Sequence, residues 1–144
     1  MSTADDILVA LHKIYGQVHG LVDTLPYEPR AIHATPILYT LLDSMTRDVG
    51  QATMNGRFVV YNWRFMSRLV LQWQDTATAE QDLRVYADTI ANLLENLDNR
   101  RLNGTVAQGE AFVEEIRTGY ALIDGTEYRI ADIYTIVSDK IIRP

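Results

Sequence analysis

From Trp63 to Gln74 the side chains alternate with a period of two. The odd positions Trp63, Phe65, Ser67, Leu69, Leu71 and Trp73 are apolar in five of six cases. The even positions Arg64, Met66, Arg68, Val70, Gln72 and Gln74 are polar in four of six. A helix would scatter those apolar groups around its whole circumference, whereas a strand puts them on one face. The chain must therefore build a sheet with one face on a core, and it must supply a second layer to cover that face. Trp63, Phe65 and Trp73 are expected in that core.

Turn chemistry places the neighbouring strands. Ile37 to Leu42, opened by Pro36, reads as a strand, and the polar stretch 43–56 that follows ends in Asn55-Gly56. Asn-Gly ahead of a β-rich run signals a type I′ hairpin turn, because that turn needs positive φ twice. Segment 43–56 is thus expected to be a long loop or hairpin tip. Asp124-Gly125 gives a second hairpin signal, between strands expected at 106–123 and 126–137. In that register Tyr120 lies across from Arg129 and Ala121 from Tyr128. Gly109 and Gly119 mark expected bulges or sharp bends.

Two segments have helical spacing. Ile7, Leu8, Leu11, Ile14, Tyr15, Val18, Leu21 and Val22 form one apolar stripe, so a helix is expected from Thr3 to Val22, with Ser2 and Asp5 as a capping box. Leu83, Tyr86, Ala87, Ile90, Leu94 and Leu97 form another, in a helix expected from Ala79 to Leu97. Thr78 and Gln81 form its expected capping box, and Arg100-Arg101 lies at its negative end. Between the first helix and the first strand, Pro26, Pro29 and Pro36 make residues 24–36 a stiff, extended connector that Tyr27 is expected to pin. The element order is helix, strand, strand, helix, strand, strand. It describes one α+β domain over 1–144: a mostly antiparallel four-stranded sheet with long hairpins and two helices on one face.

Charge excludes some functions. The net charge is −6 and all of it comes from residues 73–144, since residues 1–72 carry six basic and six acidic side chains. An acidic surface repels nucleic acid and offers no excess of cationic side chains to displace its condensed counterions, so specific DNA or RNA recognition is not expected. Apolar runs reach only about four residues (Phe58 to Tyr61, Tyr120 to Ile123), too short to span a bilayer. The opening Met-Ser-Thr-Ala-Asp-Asp is acidic where a signal peptide is basic, so no secretory leader is expected.

Catalytic chemistry is not expected either. The sequence holds no G-x-S-x-G, H-E-x-x-H, G-x-G-x-x-G or phosphate-binding P-loop pattern, and no cysteine. His12 and His19, on one helix, would be about 10.5 Å apart along its axis, too far to share an ion. Glu114 and Glu115, adjacent on a strand, are expected on opposite faces. Arg64 and Arg68 stand side by side on the wetter face of the alternating strand. They match a phosphate site, although paired arginines on a strand are more often held by carboxylates. No cofactor or metal is expected.

Long hairpins and a polar segment of a dozen residues favour assembly. Isolated ribbons are marginal in water, and open edges invite partners. Contacts between subunits or with partners are expected at Arg47, Asp48, Gln51, Met54, Asn55 and Arg57 of the first tip. Asp124 and Gly125 of the second tip and the Arg64 and Arg68 pair complete the set.

The chain also resembles the tail-terminator, or tail-completion, proteins of long-tailed bacteriophages and their gene-transfer-agent relatives. The likeness lies in the order and spacing of Asp5-Asp6-Ile7-Leu8-Val9-Ala10-Leu11, Leu25-Pro26-Tyr27-x-Pro29 and Pro36. It continues through Arg68-Leu69-Val70-Leu71-Gln72-Trp73, Asp75, Ala79-Glu80-x-x-Leu83, Leu102-Asn103-Gly104, Gly119 and Ile123-Asp124-Gly125-x-x-Tyr128-Arg129. The resemblance implies an α+β virion subunit that forms a hexameric ring on the head-proximal end of the tail tube. It implies sheet edges and hairpin arms as the joints, and tail-tube and head-completion or neck proteins as partners. DNA would pass through the ring unread. Host cytoplasm would be the place of assembly and the virion tail the destination. Two other readings share these features: a head–tail joining or neck protein, and a small α+β module that binds a small molecule or carries an unrecognised active site.

Overall fold

The computed structural model describes residues 3–48, 58–72, 76–106 and 109–142. Helix α1 (Ala4–Tyr15) is followed by strands β1 (Asp23–Leu25), β2 (Ile37–Asp48) and β3 (Phe58–Gln72). Helices α2 (Thr76–Leu93) and α3 (Leu97–Arg100) come next, then a 3₁₀ turn at Leu102–Gly104, and finally β4 (Glu110–Ile123) and β5 (Thr126–Ile142). The class is α+β, as the sequence implies. The sheet, however, has five strands in the order β1-β2-β3-β5-β4 and is mixed, because β1 runs parallel to β2. Among the described residues the helices number three, not two.

The extra strand lies inside the proline-rich connector. Asp23 to Leu25 pair with Ile37 to Tyr39, and the Val22 amide donates to the Pro36 carbonyl at 2.7 Å. Three residues are too few to show a period, so sequence alone reads only extended chain there. Tyr27 does not pin the connector, being 58% exposed; Leu25 and Ile32 pack on the sheet instead.

The first helix is shorter than its apolar stripe. Thr3, not Ser2, is the cap: its hydroxyl accepts from the Asp6 amide while Asp6 accepts from the Thr3 amide, both at 3.1 Å. That reciprocal pair holds the Asp6 carboxyl below the usual carboxylate range. The helix stops at Tyr15, but Val18 and Leu21 in the following turns still reach the core. Gly20 sits at φ 97°, a left-handed conformation natural only to glycine, with the Tyr86 hydroxyl close against it. The second helix starts at Thr76, so Thr78 lies inside it and is not its cap. Its far end is closed as charge predicts, with Arg100 donating to the Leu94 and Glu95 carbonyls and Asn99 to that of Leu93.

The strands outrun their sequence signals. β2 continues through Asp43 to Asp48, so half of the expected loop is strand. The hairpin of β4 and β5 turns at Asp124 (φ 49°) and Gly125 (φ 80°), as a type I′ turn requires. Its register sets Tyr120 opposite Arg129 and Ala121 opposite Tyr128, as expected. The bulge in β4 is at Glu114, not at either glycine; β2 carries a matching one at Asp43. At Gly109 the constraint is close approach, since a Cβ there would fall on the Ser138 carbonyl, while Gly119 faces open space.

Side chains of the odd β3 positions face the helices. Phe65, Ser67, Leu69 and Leu71 are buried with Leu38, Ala131, Ile133 and Val137 beneath Ile7, Leu11, Ile14, Leu83 and Ile90. Trp63 is partly buried against this cluster, and Trp73 lies outside the described residues. The Tyr15 hydroxyl bonds Thr135 at 2.5 Å under this layer. Arg129, 8% exposed, ties β5 to α2 through Glu80 at 2.8 Å. The other face of the sheet is not merely wet: Ile37, Tyr39, Val70 and Ile130 form a smaller core under Leu25 and Ile32.

Two substitutions test this account. Gly109→Ala is expected to cost about 2 kcal/mol or more in chemical denaturation, because backbone must move. Gly119→Ala is expected to stay within about 0.5 kcal/mol.

Candidate functional site

Reading across the sheet gives rows of residues at one level. On the open face one row is Tyr39, Arg68, Asp132, Arg117 and the next is Leu41, Met66, Tyr134, Glu115. Then come Ser44, Arg64, Ile136, Phe112. The helix face alternates with these: Leu42, Phe65, Thr135, Val113, then Met45, Trp63, Val137, Ala111. The two bulges, Asp43 and Glu114, therefore sit at the same level on opposite sides of the sheet.

Both bulges serve one arginine. Arg64 donates to Asp43 at 2.7 Å and to Glu114 at 3.3 Å, with its guanidinium 4.2 Å from the centre of the Tyr134 ring. A bulge re-aims its extra side chain, which brings both carboxylates to the open face. Glu114 and Glu115 consequently do not point to opposite faces. Glu115 bonds Arg117 at 2.7 Å, and Arg117 also lies over Tyr134, at 5.9 Å. Arg68 grips Asp132 with two bonds, at 2.7 and 3.0 Å. These carboxylates push the Arg64 and Arg68 guanidinium groups further toward the charged form. The arginine pair is thus engaged by carboxylates, which removes the arrangement that a phosphate would need.

The remaining expected contacts separate. Arg47, at the far end of β2, is exposed and sits 5.9 Å over the Tyr61 ring, which stacks on Trp63. Asp48 ends the same strand. Gln51, Met54, Asn55 and Arg57 lie outside the described residues. Asp124 and Gly125 form a tip at the opposite end of the sheet. Arg47 and Asp48 are thus at the other end of the sheet from Asp124 and Gly125.

Sheet edges are expected as joints, but the sequence does not mark which edge residues are free. Among the described residues, no strand pairs with the outer side of β2 beyond Tyr39, nor with the outer side of β4. Residues 42–47 of β2 are all exposed, with Leu42 and Met45 each at 45% on the helix face. At the other edge Phe112, Tyr120 and Leu122 are exposed at 46, 49 and 74%. The polar pair Asp43-Ser44 hides this extension in the sequence, because it interrupts the alternation at the bulge. A cleft of about 330 Å³ opens beside β4, lined by Ala91, Leu94, Glu95, Arg100, Phe112 and Val113 among others. A second, of about 280 Å³, lies between Pro36, Leu71, Asp82 and Tyr86.

Two buried groups are not fully satisfied among the described residues: the ring nitrogens His12 Nδ1 and Trp63 Nε1 have no partner. Burial holds the His12 pKa below its ordinary value and pushes that of Asp139, 5% exposed, upward. Among the described residues no three histidine or acidic side chains cluster as a metal site would need, and no helix is long and apolar enough to cross a membrane. No protein-family model matches the chain, and no curated protein matches it significantly.

The arginines give a graded test. Arg68→Met leaves the part-buried Asp132 without its two-bond partner and is expected to cost about 1–3 kcal/mol in urea denaturation. Arg117→Met, on the exposed pair, is expected to stay within about 0.5 kcal/mol. Asp139 supplies a pH test. A raised carboxyl pKa means that the folded state keeps this proton to higher pH than the unfolded chain does. Stability from this site is therefore greatest in acid and falls as pH rises through the folded pKa. Asp139→Asn is expected to raise the melting temperature by a few degrees at pH 7, with the gain shrinking toward pH 3.

Proposed function

We propose that this chain is a structural subunit of a phage virion: a tail terminator that closes into a ring on the head-proximal end of the tail tube, ends tube growth and offers a joining surface to the head or neck. The observation that carries this reading is a sheet with two long open edges, β2 and β4, on opposite sides of one subunit. The strands alternate in direction from β2 through β3 and β5 to β4, so the two edges run opposite ways. Copies placed side by side in the same orientation would meet with antiparallel edges, the pairing that sheets favour. Such contacts are head-to-tail, and they yield a ring if the rotation closes. The six-subunit size, the tail-tube and neck partners and the unread passage of DNA come from the resemblance to tail terminators. The net charge of −6 suits a lumen that does not hold DNA.

The reading takes Arg64 and Arg68 as structural residues, supported by their engagement with carboxylates. A neck protein would use the same edges, and capture by tail-tube protein rather than by portal or connector protein separates the two.

Light scattering on the eluted protein across a range of concentrations, followed by negative-stain imaging, tests the reading. Rings of six are expected, alone or on addition of the tail-tube protein of the same phage. A strict monomer under both conditions would overturn it.

A further inference from the structure

We infer that the ring joint is a knob-and-cleft contact between two copies of this chain: Met45, with Leu42, on the free end of β2 enters the cleft beside β4 of its neighbour. This rests on the ring reading above and adds the residues and the register.

Three observations converge on a second copy as the occupant. The first is the pair of bulges. A regular strand added to either edge would meet an irregularity, at Asp43 or at Glu114, and lose pairing beyond it. Because both bulges lie at one level, a neighbour's β2 set level against β4 brings bulge to bulge and keeps the rows aligned on both sides. A closed ring repeats one offset at every joint, and the level offset is the one that keeps both bulges in step. The bulges then reject other registers and other strands.

The second observation is the match of faces. Leu42 shares a row with Val113, and Met45 shares one with Ala111, all on the helix face. Level copies therefore carry Leu42 and Met45 to the rim where Val113 meets Ala91 and Leu94 of the helical layer. The helices cover β3, β5 and β4 but leave these two side chains bare, at 45% exposure each. The cleft of about 330 Å³ is the space that they would fill.

The third is charge. Arg47 follows Met45 on the arriving strand and is exposed. Glu95, paired with Arg100 at 3.6 Å, and Glu110 line the receiving cleft and leave it one net negative charge. Added-strand recognition works in this way: main-chain bonds give affinity, and alternate side chains entering pockets give specificity.

The chain has no cysteine, which makes the test clean. Met45→Cys and Ala91→Cys are made singly and together, and each is treated with a short bismaleimide at concentrations up to the millimolar range. The double variant is expected to give a ladder of covalent oligomers ending at the closed ring. Neither single variant is expected to cross-link, because a head-to-tail joint never sets a residue against itself. Met45→Asp is expected to weaken assembly about tenfold or more, while its melting temperature as a monomer stays within a few degrees of the parent. Rings that form without a ladder would overturn this joint and leave the ring reading standing. Dimers from Met45→Cys alone would overturn it as well, since they require a two-fold contact. A parent chain that stays monomeric at every concentration would overturn the self-complementary joint.

Discussion

The antiparallel pairing of β3 with β5 supports everything else in this domain. It runs without a break from Phe58 opposite Ile142 to Gln72 opposite Tyr128. Each strand then carries one further antiparallel partner, β2 on one side and β4 on the other. A strand inserted between two others has both rows of backbone groups bonded, so no polar backbone is left for water or a partner to satisfy. The rows defined by this pairing stack Phe65 on Thr135 and Leu69 on Ala131, and the helices bury both. They also set the levels at which Asp43 and Glu114 arrive beside Arg64.

The helical layer does not cover the sheet evenly. It lies over the first half of β2, β3, β5 and the inner side of β4, tied down by Tyr15 to Thr135 and by Glu80 to Arg129. The distal half of β2 projects beyond it. An edge so exposed is normally a hazard, and proteins blunt it with charge and bulges. Both devices are present here, at Asp43 and Arg47 on one edge and at Glu114 and Glu115 on the other. On this account they select one partner strand and exclude the rest.

Much of this architecture was legible in the residues. The alternation through β3 located the core face, and Asp124-Gly125 set the last hairpin to the residue, because a turn that needs two positive φ angles leaves few choices. The stripe of the second helix was placed correctly within a few residues. What stayed hidden had physical reasons. β1 is too short to have a period. The extension of β2 is masked by a bulge, which inserts a residue and inverts the alternation after it. The same event in β4 overturned the assignment of Glu114 and Glu115 to opposite faces. The first helix was drawn too long because Val18 and Leu21 keep apolar spacing in turns. Arg64 and Arg68 were read as neighbours on one face, and they are, but their carboxylate partners come from three other strands that no local pattern could specify.

The position of β5 also has a consequence for how the chain is made. The strand synthesised after all the others is the one that must slide between β3 and β4. Until residues 126–142 leave the ribosome, β3 has an unpaired side and β4 has no partner, and the helices have only a fragment of sheet to rest on. The contacts of β3 and β4 with β5 are therefore formed late, although β2 can pair with β3 earlier; the delay exposes apolar strands meanwhile. A nascent chain in that state has no finished edge at β4 to offer to a neighbour. A chain cut short within β5 would therefore present unpaired apolar strands to chaperones and proteases.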